Sequence, residues 1–243
     1  LKEKIKIFVF YIDKNLINPS FNKKVHWIKK NLQDLSLDDL KSVETIFHLA
    51  SVGVSPKQAT DEEFENINVN ASKKLINLAF AANVRRFIAT GSCLEYGAEA
   101  NNWKFIPPNA QLKPLCPYSK SKAKSFHVLS EFAHNNEIEL FYGRIFSAYG
   151  SGQYMKNFWS SLEAAAISGN DFYMTPGEQI RDFIHINDVV NHLKVALFRK
   201  DISKKEPLIV NIGSGIGTSL KEFAAREWER LNAKGNLVIG KFQ

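Results

Sequence analysis

Through the first 150 residues, short apolar runs rich in β-branched and aromatic side chains alternate with longer segments of helical periodicity. Consecutive parallel strands need crossovers of a dozen or more residues, usually helical, so this order predicts a parallel sheet with helices on both faces. Strands are expected over 6–12 (Lys-Ile-Phe-Val-Phe-Tyr-Ile), 25–28, 45–49, 86–90 and 138–144, with a helix over 64–82 and a long one after Tyr118. The fold class is therefore α/β, a doubly wound parallel sheet.

Gly150-Ser-Gly152 interrupts the alternation, and later segments are less regular. Helices are expected over 156–168, 187–200 and 219–231, strands over 208–212 and 236–239, and a loop through Pro176-Gly177. This divides the chain into a sheet domain of 1–150 with roughly 180–213, and a smaller lobe of 151–179 and 214–243. At 243 residues and 44% apolar content, the chain can bury a sizeable core.

No run reaches 18 apolar residues, and charges at Lys2, Glu3, Lys4 and Lys6 are unlike a signal peptide, so no membrane partner and a cytoplasmic address are expected. Cys93 and Cys116 make neither a disulfide framework nor a zinc spacing, the six histidines form no HExxH pair, and no metal is expected. With 32 basic against 25 acidic residues the formal net charge is +7. The basic residues come in short pairs such as Arg85-Arg86 without interleaved aromatics or a nucleic-acid module, so no nucleic-acid partner is expected. Attraction for a small polyanion such as a nucleotide is the economical reading.

Ligands of open α/β sheets sit outside the carboxyl ends of the strands. The strand ending at Thr90 runs into Gly91-Ser92-Cys93-Leu94-Glu95-Tyr96-Gly97, and about twenty residues later comes Pro117-Tyr118-Ser-Lys-Ser-Lys122. Tyr118 and Lys122 are four apart, so on a helix they share a face, and an ammonium beside a phenol favours the phenolate. Such pairs also arise by chance on helix surfaces, and the spacing alone does not separate the two readings. The pair opens a helix after a Pro-containing loop, and a strand-end serine stands upstream where a crossover can bring it alongside.

In order, the chain carries Phe47-His-Leu-Ala-Ser51, Asn68-Val69, Thr90-Gly-Ser-Cys-Leu-Glu-Tyr-Gly97, Tyr118-Ser-Lys-Ser-Lys122, Arg144-Ile-Phe-Ser-Ala-Tyr-Gly-Ser-Gly-Gln153, Arg181-Asp-Phe-Ile-His-Ile-Asn-Asp188 and Asn211-Ile-Gly-Ser-Gly215. Through these motifs it resembles the extended short-chain dehydrogenase/reductase family, in its nucleotide-sugar epimerase, dehydratase and reductase branch. The resemblance implies a Rossmann-like sheet, a nucleotide-sugar substrate, NAD or NADP as cofactor, and a homodimer formed through a helix pair that includes the helix after Tyr118. It implies that Ser92 polarises the substrate's carbonyl or hydroxyl, that Tyr118 transfers the proton, and that Lys122 holds the nicotinamide ribose and tunes Tyr118. It further implies cofactor contacts from Leu49, Ala50, Ser51, Asn68 and Phe146, adenine contacts from Asn31 and Leu32, and substrate contacts from Ser147 and Arg181. Asp13 falls where the family's ribose-binding carboxylate lies, which favours NAD, while Lys14 beside it leaves NADP open. The smaller lobe is then the substrate-binding lobe, expected to be incomplete.

All thirteen glycines lie at or beyond Gly53, so the first 52 residues hold no Gly-rich phosphate loop. With Asp13 as ribose ligand, that loop belongs about 20 residues upstream. The first β-α unit is thus expected to be missing from this sequence, and dinucleotide binding by it to be weak or absent. Gly213-Ser-Gly-Ile-Gly217 follows a strand and precedes a helix, but its third glycine comes one residue early. It is read as a tight turn, with Thr218 or Ser219 capping the next helix.

Within the branch, dehydratases and decarboxylases carry acid groups where this chain has Cys93 and Leu94, so elimination is disfavoured. The Ser-Cys-Leu-Glu-Tyr-Gly and Arg-Ile-Phe-Ser-Ala-Tyr-Gly motifs are more similar to 4-ketoreductases that make deoxyhexoses. The expected reaction is reduction of an NDP-4-keto-6-deoxyhexose. A 4-epimerase with bound NAD is the alternative, and a non-catalytic sugar-nucleotide-binding relic a second one. His48 and His185 are read as satisfied core or interface residues, and Asp188 as a helix cap or salt-bridge partner.

Overall fold

The computed structural model describes residues 6–11, 25–54 and 58–241. Strands β1 (Ile7–Tyr11) and β2 (Val25–Lys29) pair in parallel, from Ile7 opposite Val25 to Tyr11 opposite Lys29. Strand β3 (Thr45–His48) follows two short 3-10 turns, and a crossover then leads through α1 (Asp61–Glu63), a π-helical stretch (Phe64–Asn70) and α2 (Ala71–Ala81). Thr60 caps this crossover, with Glu63 reaching back to its N–H as the reciprocal partner. Next come β4 (Arg86–Ser92), α3 (Pro117–Asn135) and β5 (Glu139–Ile145), then β6 (Ser147–Tyr149), α4 (Phe158–Ser168), β7 (Phe172–Met174) and β8 (Ile180–His185). The chain continues through α5 (Ile186–Phe198), β9 (Leu208–Ile212), β10 (Gly217–Ser219), α6 (Leu220–Arg230) and β11 (Leu237–Ile239).

The main sheet is parallel throughout, in the order β3-β4-β5-β9. Its central strands are apolar on both faces because both are covered. Phe87 and Ala89 of β4, with Leu140 and Tyr142 of β5, pack on Leu75, Ile76 and Ala79 of α2 and Phe126, Leu129 and Ala133 of α3. Ile88 and Phe141, pointing the other way, pack with Ile212 on Val189, Leu193 and Ala196 of α5. Two-sided burial is the doubly wound arrangement that the alternating pattern predicts. A third cluster joins α4 to α6 through Leu162, Ala166, Leu220, Ala224 and Trp228.

The structure departs from the sequence reading in three places. The expected 64–82 helix begins as a π-helical stretch through Asn70. Strands β6, β7 and β10 occupy segments not assigned to strands, forming a β10-β8-β6 sheet with β8, which falls on the strand-like stretch 181–185, and a β7-β11 pair. All three are three residues long, too short to display a period of two. Among the described residues, β1 and β2 pair with each other and not with the four-stranded sheet. No helix among the described residues is long and apolar enough to cross a membrane.

His48, at the end of β3, is buried, and its Nε2 lies 2.7 Å from Ser72 Oγ, which in turn donates to the Asn68 carbonyl at 2.7 Å. Burial, with the Lys122 charge behind it, pushes the imidazole from 6.5 down to about 3. The unfolded chain therefore takes up a proton below pH 6.5 that the folded chain refuses, and stability is lost as pH falls through that window. Between pH 7 and pH 5 the loss is about 2 kcal/mol. His48→Gln, neutral throughout, should lose about 2 kcal/mol less than the parent over that interval in urea titrations. Equal losses would show that His48 does not set the acid limb.

Candidate active site

Strand β4 ends at Ser92, which caps a short turn over Cys93–Glu95. Ser92 Oγ accepts the Leu94 N–H at 3.2 Å, and Glu95 Oε1 accepts the Ser92 N–H at 2.7 Å. The turn then reaches Gly97, where φ is +52°, a conformation that disfavours residues with a Cβ. An added Cβ there would lie 1.8 Å from the Lys113 carbonyl oxygen. That close approach lets Ala98 N–H donate to Lys113 O at 3.1 Å and Lys113 N–H to Tyr96 O at 3.2 Å. The 113–117 segment is thereby fastened to the strand end, and α3 starts from it with Pro117 in its first turn.

Tyr118 consequently sits in the first turn of α3 beside the end of β4, with the Ser51 and Ser92 hydroxyls near enough to act on its phenol. One turn on, the buried Lys122 donates through Nζ to the Thr90 carbonyl at 2.7 Å. The structure thus brings Ser92, Tyr118 and Lys122 together from separate segments. It corrects the expected electrostatics, however. Burial pushes the Tyr118 phenol up to about 12, the Glu95 carboxylate adds to the rise, and the hydroxyls of Ser51 and Ser92 pull only partly against it. Lys122, its pKa lowered by burial, is directed at a backbone carbonyl.

Ser51 lies on the loop after β3, with the exposed Leu49 and Ala50 just before it. Its hydroxyl donates to Asn68 Oδ1 at 3.1 Å, and the same oxygen accepts the Val52 N–H at 2.9 Å. Asn68 Nδ2 donates to Ser121 Oγ at 2.9 Å and Val52 O at 3.3 Å. The amide of Asn68, expected to contact the cofactor, is thus engaged on both sides by protein groups. It braces the β3 loop against α3.

Asn31 and Leu32 follow β2; Asn31 lines a cavity of about 310 Å³ with Tyr11, Lys29, Lys30 and Asp34, while Leu32 packs on the core. Asp13 lies outside the described residues. Phe146 and Ser147 are half-buried at the carboxyl end of β5. Arg181 is exposed on β8, and its Nε and Nη2 donate to Gln179 Oε1 at 3.1 and 2.8 Å. Its charge acts on the Cys93 thiol, which burial nevertheless pushes up to about 11. Arg181 is thus held by a neutral amide, with its charge felt at the residue after Ser92.

The 213–217 turn is filled from within. The Asp182 carboxylate accepts Ser214 N–H and Oγ–H at 2.7 Å each and Gly215 N–H at 2.8 Å. An anion already occupies the donors that a phosphate needs, which supports the tight-turn reading. Ser219 caps α6 with Glu222 as reciprocal partner. His185 caps α5 by accepting the Asn187 N–H at 3.3 Å, and Asp188 lies in the first turn of that helix. A larger cavity of about 550 Å³, lined by Tyr149, His185, His192 and Arg226 among others, involves none of the predicted catalytic residues.

Sequence reasoning missed Ser51 as a partner of Tyr118, and it missed Glu95. Ser92-x-x-Glu95 nevertheless spells a capping box, a signal readable from the chain. The residues suit a dinucleotide at two ends: the cavity by Asn31 for the adenosine, and the Leu49–Ser51 loop with Tyr118 and Lys122 for the nicotinamide ribose.

A family model described as the NAD dependent epimerase/dehydratase family matches residues 1–213. UDP-arabinose 4-epimerase 1 of Arabidopsis thaliana is 26% identical over 223 residues, covering 77% of this chain and 51% of the plant protein. The chain therefore spans about half the length of that relative. CDP-abequose synthase of Salmonella typhimurium is 26% identical over 230 residues, covering 91% of this chain and 72% of the synthase. The structure of MoeE5 in complex with UDP-glucose and NAD superposes with a TM-score of 0.81 at 27% identity, covering 97% of this chain and 77% of that one.

Proposed function

The chain belongs to the NAD dependent epimerase/dehydratase family, and from that premise we propose that it is an NAD(P)-dependent nucleotide-sugar oxidoreductase, a 4-ketoreductase acting on an NDP-4-keto-6-deoxyhexose. The observation that carries this reading is the meeting of Ser92, Tyr118 and Lys122, brought from separate segments to the carboxyl end of β4. Burial keeps the Tyr118 phenol protonated at neutral pH, the form in which it can donate to a carbonyl oxygen that is being reduced.

The chemistry that the nicotinamide supplies when bound is hydride exchange with a sugar carbon. The protein's residues do the rest. Tyr118 delivers its proton to the substrate's C4 oxygen as negative charge develops there. Ser92 donates a hydrogen bond to that oxygen, and the Lys122 ammonium stabilises the phenolate left behind. Arg181, with a planar two-pronged donor held only by an amide, grips the diphosphate, and Ser147 contacts the sugar. Cys93, held neutral by burial, and Leu94 offer no base for elimination. Asp13 and Asn31 serve the adenosine end, and Leu49, Ala50, Ser51 and Phe146 the nicotinamide end. Residues 1–150 with 180–213 form the cofactor domain in this reading, and 151–179 with 214–243 the substrate lobe. The family resemblance implies a homodimer formed through a helix pair that includes α3.

Both reaction types have support among the relatives, one being a UDP-arabinose 4-epimerase and another a CDP-abequose synthase. Turnover distinguishes them. A reductase consumes one NADH or NADPH per sugar, so nicotinamide absorbance should fall mole for mole with product. Interconversion of 4-epimers with no net cofactor change would establish the epimerase reading instead.

A further inference from the structure

The Ser92-to-Glu95 turn sits on a buried ion pair that the reaction as derived does not use. Glu95 is fully buried and Arg144 is 1% exposed, with Arg144 Nε donating to Glu95 Oε2 at 2.7 Å. The other carboxylate oxygen, Oε1, accepts the Ser92 N–H at 2.7 Å and the Tyr142 hydroxyl at 2.9 Å. Arg144 is fixed in turn. Its Nη1 donates to Pro108 O at 2.8 Å and to the Tyr96 hydroxyl at 3.2 Å, and its guanidinium lies 4.4 Å from the Phe126 ring centroid. Gly91 permits the approach, since a Cβ there would stand 2.5 Å from Glu95 Oε1 and 2.4 Å from the Tyr142 ring.

Two charges stripped of water are a costly way to fill a core, and apolar residues of similar volume commonly serve a fold as well or better. The pair's location suggests another task. With Oε2 held by Arg144 and Oε1 by Tyr142, the carboxylate has a fixed orientation, and the Ser92 N–H is pinned to it. The Leu94 N–H occupies a lone pair of Ser92 Oγ, which leaves the hydroxyl hydrogen available for donation to a substrate oxygen.

We infer that Glu95 is a positioning residue: anchored by Arg144 and Tyr142, it fixes the Ser92 backbone through the capping box and so aims the Ser92 hydroxyl at the reacting oxygen. This rests on the assignment of Ser92 as the hydroxyl that binds that oxygen.

Two neutral replacements of the pair isolate the effect. Glu95→Leu with Arg144→Met removes the acceptor for the Ser92 N–H, and Glu95→Gln with Arg144→Met keeps one. In the Leu/Met protein the Ser92 amide should exchange its hydrogen at least about tenfold faster than in the parent, while kcat falls about 30-fold and KM stays within about threefold. The Gln/Met protein should hold the Ser92 amide close to its parental exchange rate and recover kcat to within about fivefold of the parent. Equal exchange and equal kcat in the two folded variants would reduce the pair to core filling. If Leu/Met does not fold, Gln/Met decides by itself, because rapid Ser92 exchange in a folded Gln/Met protein overturns the inference. A parent that binds NADH or NADPH yet turns over no nucleotide sugar would defeat the proposed function, whereas the exchange rates would still judge the role of Glu95.

Discussion

Tyr118→Phe should lower kcat by about three orders of magnitude, with KM within a fewfold of the parent, because a positioned proton donor contributes about 10²- to 10⁴-fold. The substitution removes one oxygen and little else. The ring keeps its place against Phe64, whose centroid lies 6.5 Å away, and α3 keeps its Pro117 start and its buried Lys122. The lost oxygen is the one that lies near the Ser51 and Ser92 hydroxyls and whose pKa burial pushes up to about 12. Steady-state kinetics beside a thermal unfolding curve check this, and the midpoint should move by no more than a few degrees. A folded variant at the parental rate would remove Tyr118 from the chemistry.

Arg86→Met should have the largest effect on stability, about 3–5 kcal/mol, as expected when one partner of a buried ion pair is removed. Arg86 is 2% exposed at the start of β4, where it pairs with Glu139 at 2.7 Å. It also donates to the carbonyls of Ala196 and Leu197 at 2.8 and 2.7 Å, and to that of Arg199 at 2.7 Å. These are the carbonyls at the carboxyl end of α5, which lack partners within their own helix. One guanidinium therefore joins β4, β5 and α5, and methionine would leave the carboxylate and the carbonyls without a donor. Urea unfolding should show the drop in midpoint. Arg86 lies at the end of the sheet opposite Ser92, so kcat per folded molecule should remain near the parental value.

The strands of the main sheet were legible because two-sided burial leaves continuous apolar runs such as Phe87-Ile-Ala89, and the start of α3 because Pro117 announces it. The convergence of Ser92, Tyr118 and Lys122 was legible through ordered motifs and strand-end topology. What the chain did not disclose depends on contacts distant in sequence. The raised Tyr118 pKa comes from burial, which no spacing reveals, and Lys122 turns to a carbonyl 32 positions away. The Glu95–Arg144 bond spans 49 positions, and Asp182 fills the 213–215 turn from 32 positions upstream. The π-helical stretch at Phe64–Asn70 has no periodicity of its own that separates it from an α-helix in a window that short.

The central claim is that Ser92, Tyr118 and Lys122 serve net reduction of a sugar carbonyl. Its most direct test follows the transferred hydrogen: the protein, in a form shown to bind the dinucleotide, is supplied with an NDP-4-keto-6-deoxyhexose and NADH or NADPH deuterated at the transferable position, and the product is read by mass spectrometry. The account predicts a product carrying deuterium at C4, one cofactor oxidised per sugar, and almost none of either with Tyr118→Phe. A 4-keto sugar left unreduced with the cofactor unconsumed, while the same protein interconverts an NDP-hexose with its 4-epimer, would contradict it.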